Sequence, residues 1–500
     1  MKYFFTPSTF FSLATILFLS LFGKRYSFEK NKPGIKTYTL SMPAIFCDSM
    51  ILQRNQPLVF WGKCKANLKV TAILNGQYNS TFSDTDGNWK IKLPAMKAGG
   101  PYKLKIVDQN KNAISFKDIL IGDVWLCAGQ SNMNFILAAD KNGSSEIASL
   151  DNPNIREYRC KMPDGVQNPE NREHSKWITA VGKQASNFSA VAYYFAKKIQ
   201  TTEKIPIGII LMACGDTRAE SWMPENVIQN DPELDSLYQY WNSHRNDNSI
   251  PFNHRPAEFY SNVVNPIIPF PLKGVVWYQG ESNTLPDNSK RPVQQRASEY
   301  KFLLTDLIHT WRSNWNNENL PFYIVQLPNY KDPSGDIQWA VIRQAQLNVA
   351  KNTKHTGLVV TIDIGDSTNL HPSGKGSVGS RLALWALAKN YRRNLVFSGP
   401  TISNMKVSGN KAVLSFDDEA SRLVSKSGNL LLGFTIADVS APNNFVNAEA
   451  YIDNDKVIVS NPTIKNPVAV RYAWGDNPKV SLFNAANLPA SPFCIKLSNK

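Results

Sequence analysis

Apolar and polar positions change rhythm twice along this chain. From about Leu40 to Phe116, short β-branched and aromatic runs such as Leu58-Val-Phe-Trp61 and Leu68-Lys-Val-Thr-Ala-Ile-Leu74 alternate with the turn dipeptides Asn75-Gly76 and Asp86-Gly87. Strands this short and regularly spaced predict a sandwich-like module. Between about 117 and 397 the apolar runs lengthen and end in polar, glycine-containing loops: Ile119–Ala128, Ile205–Ala213, Leu272–Tyr278, Pro321–Leu327 and Gly357–Ile362. Continuous apolar runs are the pattern of parallel strands covered on both faces. Ala190–Gln200 and Val378–Tyr391 have helical periodicity and supply the covers, so the middle reads as a three-layer α/β domain. After Gly399 short strands return, at Ala412–Phe416, Val457–Val459 and Val468–Tyr472. The expected layout is a β-rich module over 36–116, an α/β domain over 117–397 and a β-rich segment over 398–500.

One stretch follows neither rhythm. Lys2 precedes the almost wholly apolar run Phe10–Phe22, and Gly23-Lys24-Arg25 ends it. A membrane span needs about 20 such residues, so residues 1–27 read as a secretory signal peptide, with an uncleaved anchor as the alternative. No Cys follows the run directly, so lipid attachment there is not expected. The expectation is a periplasmic or secreted protein, in which Cys47, Cys64, Cys127, Cys160, Cys214 and Cys494 are able to pair, in an order that spacing does not assign.

Composition narrows the picture. With 42% hydrophobic and only 19% charged residues, the chain is neither disordered nor a coiled coil. The formal charge of +15 raises nucleic acid as a partner, but basic residues cluster no more densely than Lys24-Arg25 and Arg392-Arg393. Scattered surface charge is the better reading, with no nucleic-acid site and no stable membrane partner. The oligomeric state is not legible.

The chemistry gathers where the middle strands end, which is where open α/β sheets place their sites. Gly129-Gln-Ser131 follows the first long strand, and a Ser in such a turn is able to present its hydroxyl at the sheet edge. The pattern alone is weak, because G-x-S recurs at Gly143, Gly280 and Gly365, and an N-cap Ser is the plainer explanation of it. Gly215, after the second strand, lets a backbone N–H approach a ligand. Gln279, Glu281 and Asn283 crowd the end of the third, beside Trp277. His371 lies in the polar loop that follows the Gly357–Ile362 strand, placed to act as a base on a Ser at another strand end. No His or Glu sits at metal-ligand spacing from it, so no metal is expected.

Together these blocks resemble the sialate O-acetylesterase group of SGNH hydrolases. Gly122-Asp-Val-Trp…Gly-Gln-Ser-Asn-Met133, Trp277-Tyr-Gln-Gly-Glu-Ser-Asn283 and Asp363-Ile-Gly-Asp366…His371-Pro372 carry the likeness. Gly215-Asp-Thr-Arg-Ala-Glu-Ser-Trp222 is looser, with Asp216 where a second Gly is usual. Val470–Pro478 and Asn487–Phe493 are similar to the group's closing segment, so the likeness spans about residues 40 to 495.

The resemblance implies a flavodoxin-like parallel sheet and a serine esterase that needs no cofactor. It implies removal of O-acetyl groups from sialic acids, with an acetylxylan or other polysaccharide O-acetylesterase as the alternative. A glycan-binding protein on a degenerate hydrolase scaffold is the non-enzymatic one. Ser131 would be the nucleophile and His371 its base. The oxyanion donors would be the N–H groups of Ser131 and Gly215 with a side-chain amide, Gln279 ahead of Asn283. Glu281 would position its neighbours, because a carboxylate opposes a developing oxyanion. Arg218 and Arg343 are candidates to meet a substrate carboxylate, against a structural ion pair for each.

One part of the pattern is missing. SGNH enzymes commonly carry an Asp three residues before the His, and members of this group often two before; Thr368 and Asn369 stand there. Asp366, Asp363 or a main-chain carbonyl is left to orient the imidazole. The carbonyl is favoured, since Asp366 lies five residues before His371.

Overall fold

The computed structural model describes residues 39–163, 175–285, 293–332, 338–417 and 421–497, and residues 39 onward form one compact unit. The apolar run Phe10–Phe22 and its expected export role lie outside the described residues.

At the centre is a sheet of parallel strands: β1 (Ala113–Gly129), β2 (Asp151–Arg159), β4 (Ile207–Ala213), β5 (Gly274–Tyr278), β6 (Phe322–Val325) and β7 (Thr356–Val359). The seventh, β3 (Trp177–Val181), is antiparallel to β2 at one edge. Their spatial order is β7-β6-β5-β1-β4-β2-β3. After β1 the chain lays down β2 one position away and β3 at the edge beyond it, returns with β4 into the gap beside β1, and then crosses to build β5, β6 and β7 outward on the other side. The order therefore reverses at β1, and the carboxyl ends of β4 and β5 flank its own: Ala213 and Tyr278 both lie opposite Gly129.

Alternation along β1 shows how the layers form. Trp125 and Cys127 point to a face covered by α1 (Ala190–Glu203) and α4 (Lys375–Lys389). Val124, Leu126 and Ala128 point to the opposite face, covered by α2 (Val293–Asn314) and α3 (Gln338–Asn352). On that second face Trp277 makes edge-on contacts with Trp222 and Trp311, with centroids 5.9 and 6.0 Å apart. Such aromatic pairs add stability beyond their buried area and give the site a stiff floor.

The β-rich ends are present. In the head, Lys69–Leu74 and Gln77–Phe82 form a hairpin across Asn75-Gly76, whose φ angles of 48° and 77° suit a two-residue primed turn. Lys69–Leu74 also pairs with Gly99–Asp108, which in turn pairs with the first half of β1. One strand thus runs through residues 116 and 117, where the sequence suggested a boundary. Gln53 and Arg54 add a second tie, both donating to the buried Asp123 carboxylate at 2.8 to 3.0 Å. The tail forms two four-stranded sheets that include the expected strands. All six cysteines are free thiols, so the pairing allowed for from sequence is not found.

Candidate active site

β1 ends in a backbone that only glycine takes easily. Gly129 has φ 145°, and a Cβ there would lie 2.0 Å from the Tyr278 carbonyl oxygen. The close approach of β1 to β5 turns the chain sharply into the helical turn Ser131–Asn134. Gln130 occupies the cap position, so Ser131 stands at the first helical residue and its hydroxyl does not cap. It meets His371 instead: Oγ and Nε2 are 2.7 Å apart. Burial, then the Lys375 charge, holds the imidazole below its ordinary value of 6.5, so the ring is neutral at neutral pH. A neutral imidazole against a serine hydroxyl is the arrangement of a general base and its nucleophile.

Among the described residues no third member completes the pair. Asp363 is held by Arg381 through two hydrogen bonds of 2.6 and 2.7 Å. Asp366 is exposed and accepts from the Thr368 N–H and hydroxyl. Neither contacts His371, because each carboxylate is already committed to a partner of its own. The carbonyl favoured from sequence is not found either: among the described residues the His371 ring makes one hydrogen bond, to Ser131.

The oxyanion candidates divide. A Cβ on Gly215 would lie 3.7 Å from that of Ser131, and the Gly215 N–H donates to nothing among the described residues. The Ser131 N–H, at the first helical position, has no acceptor within the turn. Gln279, expected to lead the side-chain donors, does not qualify. It is fully buried and gives both amide protons away, to the Thr217 carbonyl at 2.9 Å and Asn283 Oδ1 at 2.7 Å. Asn283 donates one proton to Glu220 and keeps the other, so it replaces Gln279 as the candidate. Asp216 has φ 56°, the left-handed conformation glycine adopts freely and Asp tolerates. Its carboxylate lies 3.0 Å from His254 Nε2 and accepts from Ser282 at the same distance.

Behind Ser131 lies a buried polar cluster. Asn132 Nδ2 donates to Glu281 Oε1 at 2.6 Å and to the Leu370 carbonyl at 3.1 Å, and Asn132 Oδ1 accepts from Lys375 Nζ. Glu281 thus touches Asn132 and not the nucleophile. Burial raises its carboxyl, and burial likewise pushes the Lys375 ammonium down to about 7. Asn132 belongs to the Gly-Gln-Ser-Asn-Met block, and Lys375 carries no motif of its own. Its signal was the spacing, four residues beyond His371 at the start of a helix.

Of the two arginines proposed for a carboxylate, Arg343 is committed to main-chain carbonyls and Arg218 is largely buried. Arg343 is fully buried and donates to the carbonyls of Leu327, Pro328, Gly475 and Asp476. It ties the tail to the central domain. Arg218 is only 5% exposed. Among the described residues no three or more His, Cys, Asp or Glu side chains converge as a metal set.

Comparison with known proteins identifies a family. Residues 121–388 match the family model for "Carbohydrate esterase, sialic acid-specific acetylesterase". The chain is 26% identical to the sialate O-acetylesterase of Mus musculus, over 91% of this chain and 94% of that one. It is 26% identical to the Homo sapiens protein of that name, over 91% and 92%. Among solved structures, a carbohydrate acetylesterase from Xanthomonas citri superposes with a TM-score of 0.80 at 34% identity, covering 91% of this chain and 99% of that one.

Proposed function

Because the chain belongs to the sialic acid-specific acetylesterase family of carbohydrate esterases, we propose that it removes O-acetyl groups from sialic acids through an acetyl-enzyme on Ser131. The observation that carries the mechanism is the 2.7 Å approach of Ser131 Oγ to a neutral His371 Nε2. A serine hydroxyl needs such a neighbour because its own pKa is far too high for it to ionise unaided. His371 takes the hydroxyl proton as Oγ bonds to the acetyl carbon, and the carbonyl oxygen becomes an oxyanion facing the N–H groups of Ser131 and Gly215. Loss of one such donor typically costs about 10²–10³ in rate. The intermediate collapses as His371 returns the proton to the departing sugar oxygen. Water then attacks the acetyl-serine, gives its proton to the same imidazole, and acetate leaves as Oγ is reprotonated.

A second reading, an O-acetylesterase of neutral polysaccharide, draws on Arg343, which is fully buried and spent on main-chain carbonyls rather than open to a sugar carboxylate. It also draws on the Xanthomonas relative, named only as a carbohydrate acetylesterase.

Acetate release from O-acetylated sialic acids and from acetylated xylan separates the two. Ser131→Ala and His371→Ala test the mechanism: each abolishes release on both substrates, and the double variant loses no more than either alone. An active Ser131→Ala enzyme refutes it. We further propose that the segment around Phe10–Phe22 directs export, so the mature protein begins beyond residue 22 on N-terminal sequencing.

A further inference from the structure

A base without a carboxylate partner still has to be aimed. Around His371 the aiming is done by the loop itself, pinned to the nucleophile's own segment at three points. The Leu370 carbonyl, one residue before His371, accepts from Asn132 Nδ2 at 3.1 Å. The Ser373 carbonyl accepts from the Lys141 N–H at 3.0 Å, and the Lys375 N–H donates to Asp140 Oδ2 at 2.8 Å. Within the loop, the His371 N–H donates to Asn369 Oδ1 at 2.9 Å.

The first pin is unlike the others because Asn132 is bonded through the chain to Ser131. One buried amide therefore spans from the residue after the nucleophile to the residue before the base. Its orientation is fixed from both sides. Lys375 Nζ, which only donates while protonated, sits at Oδ1; the Glu281 carboxylate, an acceptor when ionised, sits at Nδ2. A flip would set N–H against ammonium and oxygen against carboxylate. Asn132 is fully buried, Glu281 3% exposed and Lys375 1% exposed, so water does not compete for these bonds. The Lys375 ammonium also lies 4.9 Å from the Phe135 ring centroid, which helps hold it in place.

We propose that Asn132, locked by Lys375 and Glu281, is the positioning residue that takes over the aiming of His371 from the missing triad acid. This rests on the serine-esterase reading above. Asn132 touches no reacting atom; it acts by keeping two catalytic loops in one register.

The test uses the full chain and 4-nitrophenyl acetate, with rates expressed per active site as counted by stoichiometric phosphonylation of Ser131. Asn132→Ala lowers kcat per titrated site about 10²-fold, the scale of a misplaced catalytic group, while KM stays within about threefold. Lys375→Met combined with Glu281→Gln removes both locks without leaving an unpaired buried charge. With Asn132 retained but free to flip, kcat falls about tenfold at similar KM. A folded Asn132→Ala enzyme with unchanged kcat per titrated site overturns the proposal, since a mere packing role alters stability and the number of sites alone. If Asn132→Ala does not fold, unchanged kcat in the double variant does the same. Failure of the underlying reading looks different, because Ser131→Ala would then keep its activity.

Discussion

Arg381 holds Asp363 with two nitrogens at 2.6 and 2.7 Å, and that grip takes a nearby carboxylate away from His371. Asp363→Asn breaks the ion pair and lowers Tm, but kcat falls by far less than the roughly 10⁴-fold seen when a true triad Asp is lost. Asp366→Asn, at an exposed turn, leaves kcat within about threefold of the unaltered enzyme on the same scale. Steady-state kinetics beside thermal melts check both. A collapse of kcat in Asp366→Asn with normal melting would restore a full triad.

On the proposed mechanism, His371 sets the acid limb of the pH profile. The base works only as neutral imidazole, and burial, then Lys375, lowers its pKa from 6.5. The activity kcat/KM therefore rises with pH to a midpoint below 6.5 and is flat through neutrality. A midpoint above 7 in the measured profile contradicts the environment described for the ring.

Asp306, on α2, makes stability depend on pH in the opposite sense from an ordinary ion-paired carboxylate. Burial, then the Asp231 carboxylate beside it, pushes its carboxyl up to about 7 from 3.8. The native state thus holds a proton that the unfolded chain has released. Stability from this group is full below pH 3.8 and lost as pH rises through about 7. Asp306→Asn, which never ionises, raises Tm at pH 8 by about 1–3 °C relative to the unaltered protein and changes it least at pH 4. Calorimetry at the two pH values checks the sign; an equal shift at both removes the explanation.

Gly129→Ala meets two obstacles, φ 145° and a carbonyl oxygen 2.0 Å from the new Cβ. An unfavourable backbone alone costs about 1–3 kcal/mol, and the clash also displaces the turn that carries Ser131. Chemical denaturation should show that loss with a fall in kcat; full activity in a destabilised enzyme would separate the turn from the chemistry.

How much of this was readable in the sequence depended on where polar side chains are buried. β1, β4, β5, β6 and β7 declared themselves because their residues face two apolar layers. β2 did not: its stretch Asp151–Arg159 reads as charged, since Arg159 and Glu157 pair 3.2 Å apart inside the protein and Arg156 reaches Asp118. α3 hides its inward face in the same way, through the fully buried Arg343 and Gln346. Ser131 and His371 were legible because each follows a strand. The side-chain oxyanion candidate was not, since Gln279 and Asn283 look alike until their hydrogen bonds are counted. Lys375 is hard to single out despite its spacing from His371, because a lysine at the start of a helix looks like a solvated one.

The 17-residue strand β1 also limits how this protein can be cut or recombined. A chain begun at residue 117 would start inside the strand that leads into Ser131, with the Gly99–Asp108 partner gone and Asp123 stripped of Gln53 and Arg54. Exchange of the head between relatives therefore preserves the catalytic half only if the crossover falls after Gly129 or before Thr39. The amino-terminal strands serve as the abutment of the central sheet, and a smaller, head-free esterase is not available from this architecture by truncation.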